Sequence, residues 1–222
     1  MIKIENIEVF GLESAIRGMR NPMNSWKNSD SGFGCGGCLR CDFCGLIDCD
    51  HFHKKFIVGE NDLELMQKLI KAGSDHSKFM RQIIVSMDIT APLYWWKEYD
   101  TYKVGTVANS CSTMHKIHAK PFEREDFSHD RLTDDALAVL DALIAYLNGE
   151  RVNFNNTKDK QCWHNMIQLL PTSYNQRRTV TLSYAVLRNM YHARKNHKLD
   201  EWRDFCLETT LLPYAKELIC YA

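Results

Sequence analysis

LPTSYNQRRTVTLSYAVLRNMYHAR, residues 170–194, decides how this chain folds, and KNHKLDEWRDF (195–205) follows it without a break. Pro171 cannot continue a helix and closes the one before it. From roughly 178 to 194 the chain reads as one long helix, with Tyr184, Leu187 and Tyr191 spaced to share a core-facing stripe. A last pair of helices, split by Pro213, completes the C-terminal half.

Working outward, Thr133-Asp134-Asp135 opens the clearest helix of the chain. Its Leu137, Leu140, Leu143, Ile144 and Leu147 form one apolar stripe, and Gly149 is expected to end it. Ile83, Val85, Met87 and Ile89 alternate as a strand, and Pro92 opens a short helix holding Leu93, Trp95, Trp96 and Tyr99. Asn61-Asp62 caps a helix that Gly73 closes. Ile2, Ile4, Ile7 and Val9 mark a half-buried opening strand. The class is α+β, helix-rich with a small sheet. A single domain over 1–222 is expected, carrying an insertion at about 20–60 that is rich in Asn, Ser, Gly, Asp and Cys.

Composition narrows the function. At 222 residues the chain can bury a sizeable core. Lys+Arg and Asp+Glu are 28 each, so no basic field favours nonspecific nucleic-acid binding. No apolar run reaches the length of a membrane span, no lipidation motif appears, and no charged-then-apolar signal segment opens the chain. A reducing cytoplasm is the expected compartment.

Within the insertion stand Cys35, Cys38, Cys41, Cys44 and Cys49, followed by His51 and His53. Successive Cys-x-x-Cys steps let thiolates converge on one ion, and thiolate selects zinc or an iron–sulfur cluster. Zinc sites pair two knuckles across a spacer, which favours Cys35, Cys38, Cys44 and Cys49 as one zinc site. An iron–sulfur cluster is the alternative, although the Cys-Pro that usually follows a ferredoxin run is missing. A glycine-rich loop with incidental thiols, or disulfides in an oxidising compartment, would leave the segment without metal.

The C-terminal stretch resembles the flavin-dependent thymidylate synthases. Leu170-Pro171, Asn189 and Arg194 match that family's pattern without a gap, and His197 and Glu201-Trp202-Arg203 follow at nearly the right distance. Gly73-x-x-His76-Ser77-x-Phe79 resembles its Gly-His-x-Ser-Pro-Phe-Glu segment. Asn109-Ser110-Cys111-Ser112-Thr113-Met114-His115 keeps the Asn and Ser of its signature and loses the Glu, Arg and Tyr. Tyr102-Lys103-Val104, or with an offset of about three residues Tyr99-Asp100-Thr101, stands where Arg-His-Arg belongs, and neither restores it. The likeness covers about 60–210 in patches and has no counterpart for the cysteine segment.

The resemblance implies a homotetramer binding FAD and deoxyuridine monophosphate (dUMP) at subunit junctions. Asn189 would contact the flavin, and Arg194 would activate the nucleotide. Read directly, Asn109, Ser110, Ser112 and Thr113 offer short polar side chains for a phosphate or ribose, or simply a self-bonded turn. Arg194 and Asn189 equally suit a solvated helix end. Tyr94, Trp95, Trp96, Tyr99 and Tyr102 can stack on a ring or serve as core. Two arginines that would clamp the nucleotide phosphate are Met114 and Ile167 here, with Arg81, Arg177 or Arg178 as conceivable substitutes. The expectation is a thymidylate synthase-like protein that binds a flavin or a pyrimidine nucleotide with altered or lost activity. A non-catalytic, metal-stabilised interaction protein on the same fold and an iron–sulfur redox protein are the alternatives.

Overall fold

A computed structural model describes residues 2–35 and 54–221. The chain falls into two compact units, one from 1–7, 86–181 and 194–208, the other from 8–85, 182–193 and 209–222.

The first unit is organised by a four-stranded sheet of order β1–β4–β6–β5, with β1 Lys3–Phe10, β4 Ile84–Pro92, β5 Thr106–Ser110 and β6 Asn175–Ser183. Met87, Ile89, Ala91 and Val180 are buried at alternating positions, the two-residue period of a strand with one face inward. The other face is polar: Asp88 accepts from Asn6 Nδ2 (2.8 Å), Arg177 Nη2 (2.7 Å) and the Thr179 hydroxyl. Those donors, Thr179 foremost, hold the Asp88 carboxyl well below the usual carboxylate range.

Beyond β4, α3 (Leu93–Tyr99) buries Trp95, Trp96 and Tyr99, joined in one aromatic cluster by Trp202 and Phe205 of α7 (Asp200–Thr209). The Trp95 ring lies 4.9 Å from Trp96 and 4.8 Å from Trp202, centroid to centroid. These aromatics are core, save Tyr94 and Tyr102 at its margin. A hairpin of α4 (Asp134–Thr157) and α5 (Lys160–Gln168) closes over Ile117, Phe122, Phe127, Leu140, Leu147 and Met166.

Two expectations are corrected here. Gly149 does not end the helix. α4 runs on to Thr157, because contacts on both sides of the glycine, Leu147 and Phe154 in the α4–α5 cluster and Asn165 donating to Glu150 (2.9 Å), outweigh a penalty of about 1 kcal/mol. Nor is 178–194 one helix. Thr179, Val180 and Thr181 are β-branched and belong to β6, and α6 starts only at Tyr184 (Tyr184–Arg194), whose amide donates to Ile83 O at 2.9 Å.

In the second unit α1 (Leu12–Arg20) buries Ala15, Ile16, Met19 and Arg20. Gly11 precedes it at φ 88°, and a Cβ there would meet Gln82 O at 2.1 Å, so only glycine fits. α2 (Glu60–Lys71) is capped from afar: Asp30 accepts from the amides of Asn61 (2.9 Å) and Asp62 (3.1 Å). The expected cap, Asn61-Asp62, lies instead inside the first turn, where Asp62 is fully buried and ion-paired with buried Arg20 at 2.6 Å. The hydroxyls of Ser29 and Ser31 also donate to Asp62, each at 2.6 Å. Burial pushes this carboxyl up, yet Ser29, Ser31 and Arg20 together outweigh it and hold it below its ordinary value.

β2 (Gly32–Cys35) and β3 (Lys54–Ile57) pair antiparallel, with Cys35 opposite Lys54 and the Phe33 and Phe56 rings edge-to-face at 5.3 Å. Cys38, Cys41, Cys44, Cys49, His51 and His53 lie outside the described residues.

Candidate functional site

In the second unit, Gly73 turns the chain out of α2 at φ 105° and its carbonyl accepts from the amides of His76 and Ser77, 3.1 Å each. The 3-10 turn Ser77–Arg81 follows, burying Phe79 and Met80. This turn and one face of α6 enclose a cavity of about 400 Å³, within the usual size for a ligand site. Ile70, Met80 and Ala185 give it an apolar floor; Ser74, Ser77, Arg81, Arg188, Asn189 and His192 supply polar groups. Among the described residues no carboxylate lines it. Two guanidiniums, with no facing acid among the described residues, suit it to an anion.

The two arginines are held differently. Arg81 is exposed and has no side-chain partner among the described residues. Arg188 is half-buried, and its Nη1 donates to the carbonyls of Leu218 (3.3 Å), Ile219 (3.2 Å) and Tyr221. The first two residues close α8 (Ala215–Leu218). Burial lowers the Arg188 pKa from its ordinary value, but an arginine keeps its charge at neutral pH.

Arg194, the last residue of α6, has a different environment in the first unit. Its Nη1 donates to Glu98 Oε2 at 2.7 Å and its Nε to the Tyr102 hydroxyl at 2.9 Å. The guanidinium lies 5.0 Å from the Trp202 ring centroid and 5.6 Å from that of Tyr102. Glu98 Oε2 also accepts from Trp202 Nε1 (3.1 Å) and sits 3.4 Å from His197 Nε2. Arg194 is thus neutralised and stacked, a strut between α3 and α7. Glu98, which supplies the counter-charge, went unnoticed in the sequence, since nothing in an isolated Trp-Lys-Glu-Tyr points at an arginine 96 positions away.

The polar run after β5 is partly committed to its own backbone. Ser112 Oγ accepts from the amides of Met114 (3.2 Å) and His115 (2.9 Å), the self-bonded turn that such residues favour. Cys111 is tied by its amide to Arg177 O (2.9 Å) and by its carbonyl to Gln176 Nε2 (2.7 Å). Asn109 and Ser110 are exposed and Thr113 half-buried. Met114 is exposed, while Ile167 packs against the α4–α5 core. Of the three conceivable substitutes, Arg177 is paired with Asp88 and Arg178 with Asp100, the latter over the Trp96 ring. Arg81 lines the cavity of the second unit.

A second cavity of about 430 Å³, in the first unit, was not foreseen; Tyr94, Ser128, Arg131, Thr172, Lys198 and Glu201 help to line it. Tyr94 donates to buried Glu201, and burial, with Glu201 adding to it, pushes the phenol far above its ordinary pKa. Arg131 pairs with Asp200 at 2.6 Å across its rim.

The element order and these positions define an α+β fold of the flavin-dependent thymidylate synthase type. The crystal structure of thymidylate synthase X from Helicobacter pylori with FAD and dUMP matches at a TM-score of 0.66 and 17% identity, over 99% of this chain and 97% of that one. A second structure of the flavin-dependent enzyme from that organism, complexed with FAD and dUMP, matches at 0.63 and 16%, over 97% and 98%. No protein-family model matches the chain, and no curated protein sequence does. Among the described residues no three His, Cys, Asp or Glu side chains are placed to hold a metal, and no helix is long and apolar enough to cross a membrane.

Proposed function

We infer that this chain is a divergent flavin-dependent thymidylate synthase-like protein that binds FAD in the second unit's cavity and does not carry out ordinary thymidylate synthesis. The observation that carries the flavin reading is the acid-free cavity with Arg81, Arg188 and Asn189 on a fold whose neighbours were solved with FAD and dUMP. A dinucleotide brings a diphosphate to the arginines and flat rings to the apolar floor; when bound, it supplies hydride chemistry that no side chain offers. The residues here would bind and orient it: Asn189 by its amide, Ser74 and Ser77 by their hydroxyls.

Altered chemistry is supported by the candidate nucleotide contacts within the first unit. Glu98 cancels the charge with which Arg194 would polarise a pyrimidine, and Met114 and Ile167 carry no charge for a phosphate. Charge-assisted contacts of the kind missing are worth ~1.5–3 kcal/mol each, so two lost clamps weaken dUMP by roughly a hundredfold or more. Asn109, Ser110, Thr113 and Arg194 remain the candidate contacts for a pyrimidine or ribose, Ser112 acting through its turn. The test is dUMP-dependent turnover with FAD, reduced nicotinamide and a folate: weak or absent product agrees, and robust turnover overturns the reading.

Two further parts of the reading have their own support. α4 is apolar on both faces: Ala138, Ala142, Ala145 and Gly149 form an exposed strip flanked by Val139, Tyr146 and Val152. Small residues let a second helix approach closely, which favours self-association as a tetramer. Light scattering at micromolar concentration should give an oligomer; a stable monomer contradicts it. The spacing of the thiols at Cys35, Cys38, Cys44 and Cys49 as two knuckles across a spacer favours one zinc site there. Elemental analysis should find about one zinc per chain. No metal, or iron with labile sulfide, overturns it.

A further inference from the structure

We propose that Arg188 couples the C-terminal turn to the cavity: its Nη1 is anchored by the carbonyls of Leu218, Ile219 and Tyr221, and its Nε–Nη2 edge is thereby aimed at the diphosphate of a bound dinucleotide. The proposal rests on the flavin reading of this cavity and adds a positioning device to it.

Three observations carry it. First, all three carbonyl contacts of Arg188 use one nitrogen, Nη1. Nε and Nη2 have no partner among the described residues, and neither belongs to the buried polar atoms left without one. Those two atoms form the side-on edge of the guanidinium, whose parallel N–H bonds fit two oxygens of one phosphate. Second, two of the carbonyls, those of Leu218 and Ile219, close α8 and lack intrahelical donors, so they need a cation or water. Arg188 therefore satisfies the end of a helix and lines an anion cavity with the same side chain. Third, the tail is fixed independently of Arg188. Leu218 and Ile219 are buried, the Cys220 and Ile219 amides both donate to Ala215 O at 2.8 Å, and Lys71 lies 5.2 Å from the Tyr221 ring centroid.

Binding on the free edge does not compete with the carbonyls on Nη1. An anion that immobilises the guanidinium strengthens its hold on the tail, and the docked tail lowers the entropic cost of immobilising the arginine for the anion. The coupling is positive, and it is reciprocal by linkage.

The experiment is hydrogen exchange of the Leu218–Cys220 amides with and without FAD, on wild type and Arg188→Gln, with FAD affinity measured by calorimetry on the same samples. FAD should slow exchange of these amides severalfold in wild type and leave them unchanged in Arg188→Gln, which should bind FAD at least tenfold more weakly. Arg188→Lys should keep part of the affinity, having the charge without the fork. Arg81→Ala should weaken FAD while leaving the tail response at saturation intact, which separates a positioning role from loss of charge alone. Equal FAD affinity of Arg188→Gln and wild type overturns the proposal and leaves the flavin reading standing. Tail exchange indifferent to saturating FAD overturns it as well. If wild type binds no FAD, the flavin reading fails, and inorganic pyrophosphate decides the remainder: the same tail response supports an anion-coupled Arg188, and no response overturns it.

Discussion

Arg188 and Arg194 lie on one helix, α6, six residues apart in sequence, and the structure uses them in opposite ways. Arg188 is tethered by uncharged carbonyls, so its positive charge is undiminished and lines a cavity without acids. Arg194 meets a carboxylate at 2.7 Å, a phenol and two aromatic rings, and its charge is spent inside the protein. A resemblance in sequence had marked Arg194 as the functional arginine. The partners, not the residue type, set the surroundings of each guanidinium: carbonyls at Arg188, a carboxylate and a phenol at Arg194.

Arg20 marks the far end of this scale, and its variants should show the largest effect. It is 5% exposed and paired with Asp62, itself 0% exposed. Removing one partner of such a pair costs about 3–5 kcal/mol, because the other charge is left buried. Arg20→Met and Asp62→Asn should each lose stability of that order in urea unfolding. A loss under 1 kcal/mol would show that the charge finds water. The acid limb follows from the same pair. The Asp62 carboxyl is depressed in the folded state, so its contribution is whole above the unfolded value of ~3.9 and is lost as pH falls through the folded one. The urea midpoint of wild type should drop below about pH 4, and Asp62→Asn should flatten that drop.

Next in size is Arg194. Arg194→Ala loses two charge-assisted or phenolic hydrogen bonds and two ring contacts, so ~1–3 kcal/mol of folding stability should go with it. A loss of dUMP affinity with unchanged stability would show Arg194 acting on the ligand and not as a strut. Glu98→Gln asks the converse. It keeps an acceptor for Trp202 and releases the Arg194 charge, and dUMP should then bind about tenfold tighter, the equivalent of 1.4 kcal/mol. No change would mean that Glu98 does not govern the nucleotide side. Arg81→Ala comes last for folding, within ~0.5 kcal/mol, because an exposed side chain without a partner holds nothing in place.

The contrast also explains what could be read from the chain. Period-two alternation in Ile83–Ile89 and the stripe Leu140–Leu147 are local signals, and the elements they announce are present. Asn175–Ser183 deceived because its helix-compatible polar residues run straight into the true helix; only its sheet neighbours, with Ser86 and Thr181 hydroxyls 3.3 Å apart, make it a strand. Asn189 was legible and lines a cavity, yet Arg81 and Arg188 join it as lining residues only through the turn Ser77–Arg81 and α6. Glu98, Asp30 and the tail carbonyls act across 96, 31 and 30 or more positions, distances over which a single sequence carries no pairing information.

The most direct measurement is a calorimetric comparison of FAD and riboflavin on wild type and Arg81→Ala. The cavity's two guanidiniums should read the diphosphate, so FAD should bind wild type at least tenfold more tightly than riboflavin, which lacks it, and Arg81→Ala should erase most of that difference. Equal affinity for the two flavins, or no binding of either, would contradict the assignment of this cavity.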